Sequence, residues 1–65
     1  MKVEKLQNGQ YQVTHENLTL TQTVIKGQRF NDCTVFDGHY YELISQHDER
    51  MNPLFIALHN FKCNE

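Results

Sequence analysis

A tight-turn dipeptide between two β-type segments is the feature that most constrains how this chain can fold. Asp37-Gly38 separates Arg29–Phe36 from His39–Ser45, and both segments are rich in β-branched and aromatic residues. A two-residue hairpin loop needs positive φ at its central positions, which Asp tolerates and Gly adopts freely. Asn8-Gly9 repeats this signal near the start of the chain. The sequence therefore predicts antiparallel hairpins as the basis of the fold.

Apolar and polar residues alternate along the chain on both sides of these turns, as expected for strands of a half-buried sheet. We predict strands at about residues 2–7, 10–15, 18–25, 29–36 and 39–45, joined in sequence as a meander. A three-residue loop at 26–28 is favoured, because it places Phe30 and Phe36 on the same face as Leu18. The predicted inner face comprises Leu6, Tyr11, Val13, Leu18, Leu20, Val24, Phe30, Phe36, Tyr41 and Leu43.

The apolar period changes after Ser45 from that of a strand to that of a helix. Asn52-Pro53 is typical of a helix start, and Leu54, Leu58 and Phe61 recur at helical spacing. We predict a helix at about residues 53–62, packed on the apolar face of the sheet. The expected fold is a single small α+β domain over residues 1–65, a five-stranded antiparallel meander with one C-terminal helix. An open sheet and a small SH3-like barrel remain alternatives.

Charge and length restrict the class of protein. The chain has 65 residues and a net charge of −2, and its six Lys and Arg residues are scattered among eight acids. This distribution argues against binding driven by neutralisation of nucleic-acid phosphates. No apolar run approaches the ~20 residues of a membrane span, and the first residues do not resemble a signal peptide. A cytoplasmic protein is the interpretation that follows.

Histidine and cysteine offer three chemical hypotheses, none of which we favour. His59 and Cys63 are spaced i, i+4 on the predicted helix, but the chain lacks the Cys-x-x-Cys half-site usual for structural zinc. A disulfide between Cys33 and Cys63 conflicts with a reducing cytoplasm and with the expected position of Cys33 away from the helix. A Cys33–His39 dyad would need side chains that the predicted register places on opposite faces. We therefore predict no metal, no cofactor and no catalytic residue.

Asp32 and Thr34 break the expected pattern, because the predicted register places them among hydrophobic neighbours. They could form a polar pocket, or the fourth strand could bend or bulge there. We favour the bend, since bulges and edges are where sheets accept such residues.

The outer face of the predicted sheet carries the remaining functional hypothesis. Val35 and Tyr40 are expected to be cross-strand partners beside Ile44, with Thr21 and Thr23 on the same uncharged face. Apolar side chains exposed together are typical of an interface. We predict a non-catalytic protein-binding or inhibitory protein, such as a phage or mobile element encodes, that binds a protein partner and forms a homodimer. The alternative is a nucleic-acid-associated regulator on a small barrel.

Overall fold

The sheet and helix follow the predicted order in a computed structural model that describes residues 1–65. The strands are β1 (Lys2–Gln7), β2 (Gln10–His15), β3 (Leu18–Ile25), β4 (Gln28–Phe36) and β5 (Tyr41–Ile44), followed by a 3₁₀ helix (Glu49–Met51) and α1 (Asn52–Cys63). Each strand is antiparallel to the next, in the order β1-β2-β3-β4-β5. Because β1 and β5 lie at opposite edges, the sheet is open. The predicted α+β meander with one C-terminal helix is confirmed, in its open form.

The first two turns have the predicted length, but β1 contains an irregularity. The β1–β2 hairpin closes on Asn8-Gly9, and the register shifts at Leu6, which has no Cα partner on β2. With this bulge, Val3 lies opposite Val13. Leu6 is exposed as a consequence, so its predicted position in the core is wrong.

The β3–β4 turn is one residue shorter than predicted. Lys26 and Gly27 both have positive φ, at 52° and 79°, and Ile25 pairs directly with Gln28. Such a two-residue turn matches the twist of the flanking strands. Lysine rarely adopts a positive φ, so the sequence carries no residue signal for a two-residue turn at this position. The one-residue difference turns every side chain of β4 to the opposite face.

The shorter turn reverses the predicted faces of β4 and β5. The side chains that form the inner row across all five strands are Val3, Val13, Leu20, Cys33 and Ile44. Phe30, Phe36, Tyr41 and Leu43, predicted to be in the core, lie on the outer face, and Cys33, predicted outside, is buried. Asp32 and Thr34 also face outward, which removes both the polar pocket and the bend that were considered for them.

Space in the core accounts for this choice of register. α1 packs on the inner face of the sheet through the fully buried Leu54 and Leu58, and Met51 from the 3₁₀ helix is also fully buried. These three long side chains already fill a small core, and two additional phenyl rings would overpack it. The smaller side chain of Cys33 fits the available position on β4.

The entry into α1 differs in detail from the predicted Asn52-Pro53 start. Asp48 caps the preceding 3₁₀ helix by accepting a hydrogen bond from the Arg50 backbone N–H at 2.9 Å. α1 continues directly from this turn, so Asn52 is its first residue and not its N-cap. The segment that connects β5 to α1 thereby contributes Met51 to the core.

Candidate protein-binding surface

An apolar cluster lies on the outer face where β4 and β5 end in their connecting loop. We call Phe36, Tyr40, Tyr41 and Leu43 the β4–β5 patch. Phe36 and Tyr41 are cross-strand partners with ring centroids 4.8 Å apart. Tyr41 and Leu43 are 72% and 78% exposed, and Tyr40 in the loop is 77% exposed. Because β5 is the edge of the sheet, no further strand covers these side chains.

The four-residue loop between β4 and β5 is held by a single carboxylate. Oδ1 of Asp37 accepts hydrogen bonds from the backbone N–H groups of His39 and Tyr40, both at 2.8 Å. The Asp37 N–H donates to the Tyr40 carbonyl at 3.1 Å, and Gly38 has the positive φ of 105° that this path requires. The predicted two-residue loop at this point is therefore wrong, although the turn lies where Asp37-Gly38 indicated.

Those hydrogen bonds also determine the charge of the loop. The Tyr40 N–H, and after it the His39 N–H, lower the pKa of Asp37 by stabilising the ionised carboxylate. Asp37 is therefore negative at neutral pH and keeps accepting both hydrogen bonds. The exposed Tyr40 side chain thus projects from an ordered backbone, which lowers the entropy lost if it is bound.

Acidic groups accompany the patch on the outer face. Asp37 follows Phe36 directly, and Asp32 faces outward further back along β4. The outward positions of β3, β4 and β5 include no Lys or Arg. The exposed apolar surface therefore has negative charge beside it and no positive charge among its strand neighbours.

The outer face between β2 and β3 is polar and internally bonded. The Gln10 side-chain amide donates to the Thr23 hydroxyl at 3.3 Å, and the Gln12 amide donates to the Thr21 hydroxyl at 3.2 Å. These pairs cross from β2 to β3 and use the polar groups of both partners. This part of the sheet is an ordinary solvated surface, in contrast to the β4–β5 patch.

The residues predicted for the interface are not brought together. Val35 and Ile44 lie on the inner face, half-buried against the core. Tyr40 is exposed in the loop directly before β5, whereas Thr21 and Thr23 face outward on β3. The triplet of Val35, Tyr40 and Ile44 on one face is wrong because it depended on the predicted turn lengths at both ends of β4.

Three patch residues were missed, although one signal could have indicated that an exposed apolar group exists. In β4 and β5 both alternating sets contain apolar residues, since Cys33 and Val35 alternate with Phe30 and Phe36. A sheet covered by one helix can bury only one of these sets. The other set must face outward whichever register is adopted, so an exposed aromatic group was predictable even though its members were not.

Neither a metal centre nor a membrane span was located. Nowhere do three or more His, Cys, Asp or Glu side chains gather in a way that could hold a metal ion. The predicted i, i+4 pair is present, with Cys63 Sγ 3.6 Å from His59 Nε2. α1 is too short and insufficiently apolar to cross a bilayer.

Comparison of the chain with protein-family profiles, curated proteins and solved structures finds no match.

Proposed function

We propose that this chain is a non-catalytic binding or inhibitory protein that contacts a larger protein through the outer face of its sheet. The contact is centred on the β4–β5 patch. The observation that carries this proposal is the exposure of Tyr41 and Leu43 on one face of the edge strand β5, with Tyr40 exposed in the loop directly before it. Aromatic anchors on an ordered backbone are the side chains that contribute most to protein interfaces.

The surrounding charge selects the kind of partner. Asp32 and Asp37 lie on or beside the same face as the patch, without Lys or Arg on the outward positions of β3 to β5. A partner with an apolar depression bordered by Lys or Arg complements this surface. A second copy of the chain, which would present carboxylates to carboxylates, is the less favourable occupant. The acidic border also argues against the alternative role in nucleic-acid binding.

The free cysteines support a proposal on location. Cys33 is a buried free thiol and Cys63 is an exposed one. Thiols that stay unpaired are typical of a reducing compartment. We propose that the protein acts in the cytoplasm, where such a partner would be another cytoplasmic protein.

The proposal is tested with two glutamate variants on the same sheet face. Leu43→Glu introduces a charge into the patch, whereas Thr14→Glu introduces the same charge on the outer face of β2, opposite Lys2. Proteins retained from a lysate by the immobilised wild type are purified, and each is titrated calorimetrically with the wild type, Thr14→Glu and Leu43→Glu. We expect Leu43→Glu to raise the Kd at least about tenfold, since it buries a charge without a partner.

Circular dichroism of both variants controls for folding. A purified partner that binds Leu43→Glu as tightly as wild type would overturn the proposal, as would an equal loss for Thr14→Glu. Sedimentation at several concentrations tests self-association. A dimer that Leu43→Glu dissociates would make a second copy the occupant of the patch and would refute the proposed basic partner.

A further inference from the structure

We propose that Cys63 is a site of thiol–disulfide exchange with a small anionic disulfide of the glutathione type. The site is a cleft of about 310 Å³ between the C-terminal half of α1 and the inner face of β3 and β4. It lies on the opposite side of the sheet from the β4–β5 patch, so this inference is independent of the proposed protein-binding function. Four features of the cleft carry it.

The first feature is a thiol with a proton acceptor beside it. Cys63 and His59 are exposed and one helical turn apart, which brings Sγ to 3.6 Å from Nε2. The thiolate is the species that attacks a disulfide. In the tautomer with its proton on Nδ1, the His59 ring can accept the thiol proton at Nε2.

The second feature is positive charge without a carboxylate partner. Arg29 and Lys62 both line the cleft, and neither belongs to any of the three ion pairs of the chain. The Glu65 side chain is engaged elsewhere, since it pairs with Lys5 at 3.6 Å and accepts a hydrogen bond from the Tyr11 hydroxyl at 2.9 Å. Two cations lining one cleft attract an anionic reagent.

The third feature is that one of these cations is held in position. The Lys62 ammonium donates to Oε1 of Gln22 at 2.8 Å, and the amide of Gln22 donates in turn to Oδ1 of Asn31 at 2.7 Å. Gln22 is the one buried polar residue of the chain, at 5% exposure. The Lys62 charge also lies 4.8 Å from the centre of the Tyr11 ring. A charge fixed in this way loses little conformational freedom when an anion binds.

The fourth feature is the contrast with the second cysteine. Cys33 lies in the core at 2% exposure, and burial raises the pKa of its thiol, as do the nearby carboxylates of Asp32 and Asp48. Cys33 is therefore protonated and inaccessible in the folded chain. Reaction of the native protein should be confined to Cys63, with Cys33 as an internal control.

The exchange step is balanced without a further reagent. His59 Nε2 accepts the Cys63 thiol proton, and the thiolate attacks one sulfur of the small disulfide. The S–S bond of the reagent breaks as the bond to Cys63 Sγ forms. The departing thiolate takes the proton from His59 and leaves as the reduced small thiol. Cys63 is oxidised to a mixed disulfide, which a second small thiol can reverse.

The experiment compares two reagents of opposite charge. The purified chain is incubated separately with oxidised glutathione, which is anionic, and with cystamine, which is cationic, and the mixed disulfide at Cys63 is followed by peptide mass spectrometry. Each rate is divided by the rate of the same reagent with the urea-unfolded chain, which removes the intrinsic reactivity of the reagent. We expect a normalised preference for oxidised glutathione of at least about fivefold, corresponding to one well-placed charge pair near the surface.

Charge variants assign this preference to the cleft. Arg29→Gln should lower the preference at least about twofold, and added salt should lower it further. Lys2→Gln removes a cation from the outer face of β1 and should leave it unchanged. Arg29 is exposed, so its replacement leaves the fold intact. A normalised preference near one, an unchanged preference in Arg29→Gln, an equal fall in Lys2→Gln, or equal labelling of Cys33 in the folded chain would each overturn the inference.

Discussion

The two halves of the sheet use the same alternating pattern in opposite ways. In β1 to β3 the inward positions hold the core residues Tyr11, Val13, Leu18 and Leu20, and most outward positions hold Gln or Thr. In β4 and β5 the inward Cys33 and Ile44 are matched by apolar side chains on the outer face. The first half is thus apolar on one face, and the second half is apolar on both.

Under the proposed function, binding and stability are divided between the two halves. Polar outward positions in β1 to β3 satisfy one another across the sheet, as Gln12 and Thr21 do. The outward positions of β5 expose Tyr41 and Leu43, which contribute little to the core. Exposed apolar residues at a sheet edge promote aggregation unless they are covered. Their presence is most simply explained by a partner that covers them.

The largest expected effect compares one leucine from each half. Leu20 is fully buried at the centre of the inner row, whereas Leu43 is 78% exposed on the outer face of β5. Leu20→Ala should lower the free energy of unfolding by about 2–5 kcal/mol, because it leaves a cavity. Leu43→Ala should change it by less than about 0.5 kcal/mol. Urea denaturation of both variants measures the difference, and similar losses would show that the second half is as firmly packed as the first.

A smaller effect compares two glycines of nearly equal φ. Gly9 and Gly27 have φ of 80° and 79°. A Cβ added at Gly9 would lie 2.9 Å from the Val24 carbonyl oxygen, whereas a Cβ added at Gly27 would have no atom within 4 Å. The Val24 N–H also donates to the Gly9 carbonyl at 2.7 Å, which ties the first turn to β3. Gly27→Ala should cost about 1–2 kcal/mol from backbone strain alone.

Gly9→Ala should cost more than Gly27→Ala, because the Val24 backbone cannot yield easily. Thermal unfolding of the two variants under the same conditions gives the comparison. Equal melting temperatures would mean that the first turn is not anchored to β3, and the distinction between a tightly built first half and a looser second half would weaken.

The acid response should depend on the connection between β5 and α1. Arg50 lowers the pKa of Asp48 to about 2, first through a side-chain and then through a backbone hydrogen bond. Because the folded pKa lies below the unfolded value near 3.9, this stabilisation is present above about pH 4 and is lost as the pH falls toward 2. The group is at the surface, so the effect is small.

Melting curves of wild type and Asp48→Asn between neutral pH and pH 2 test this dependence. Asn retains an oxygen that can cap the 3₁₀ helix but loses the charge that pairs with Arg50. We expect the wild type to melt higher at neutral pH and the two curves to converge toward pH 2. A gap that does not change with pH would assign the role of Asp48 to capping alone.

Strand number and order followed from local signals, because turn dipeptides and alternating residues act over a few positions. Local signals did not predict which side chains of β4 face the core, since this depends on whether Lys26 adopts a positive φ. Both alternating sets of β4 mix apolar with polar residues, so the residue pattern could not decide between them. The length of this turn and the space left beside α1 therefore act together in selecting the apolar set that reaches the core.

The candidate surface was predictable to a similar extent. Its position on the outer face, beside the Asp37-Gly38 turn, and the inclusion of Tyr40 were expected from the sequence. From the sequence, Val35 and Ile44 were assigned to this surface, and Phe36, Tyr41 and Leu43 were assigned to the core. Both assignments are wrong because they depended on the predicted register of β4. The volume that α1 and Met51 fill affects which apolar set is left on the outer face. That volume is a property of the folded core.

Tyr40→Glu should have the smallest effect on stability. It also separates binding from stability most clearly. The Tyr40 side chain is 77% exposed, and its backbone N–H, which donates to Asp37, is retained in the variant. The free energy of unfolding should therefore change by less than about 0.5 kcal/mol. Binding of the partner should weaken, because the variant removes the aromatic ring and places a carboxylate in the apolar part of the contact. Tyr40→Phe keeps the ring and should bind more tightly than Tyr40→Glu. If Tyr40→Glu lowers the melting temperature as Leu20→Ala does, the loop belongs to the folded core, and the assignment of binding to the second half is wrong.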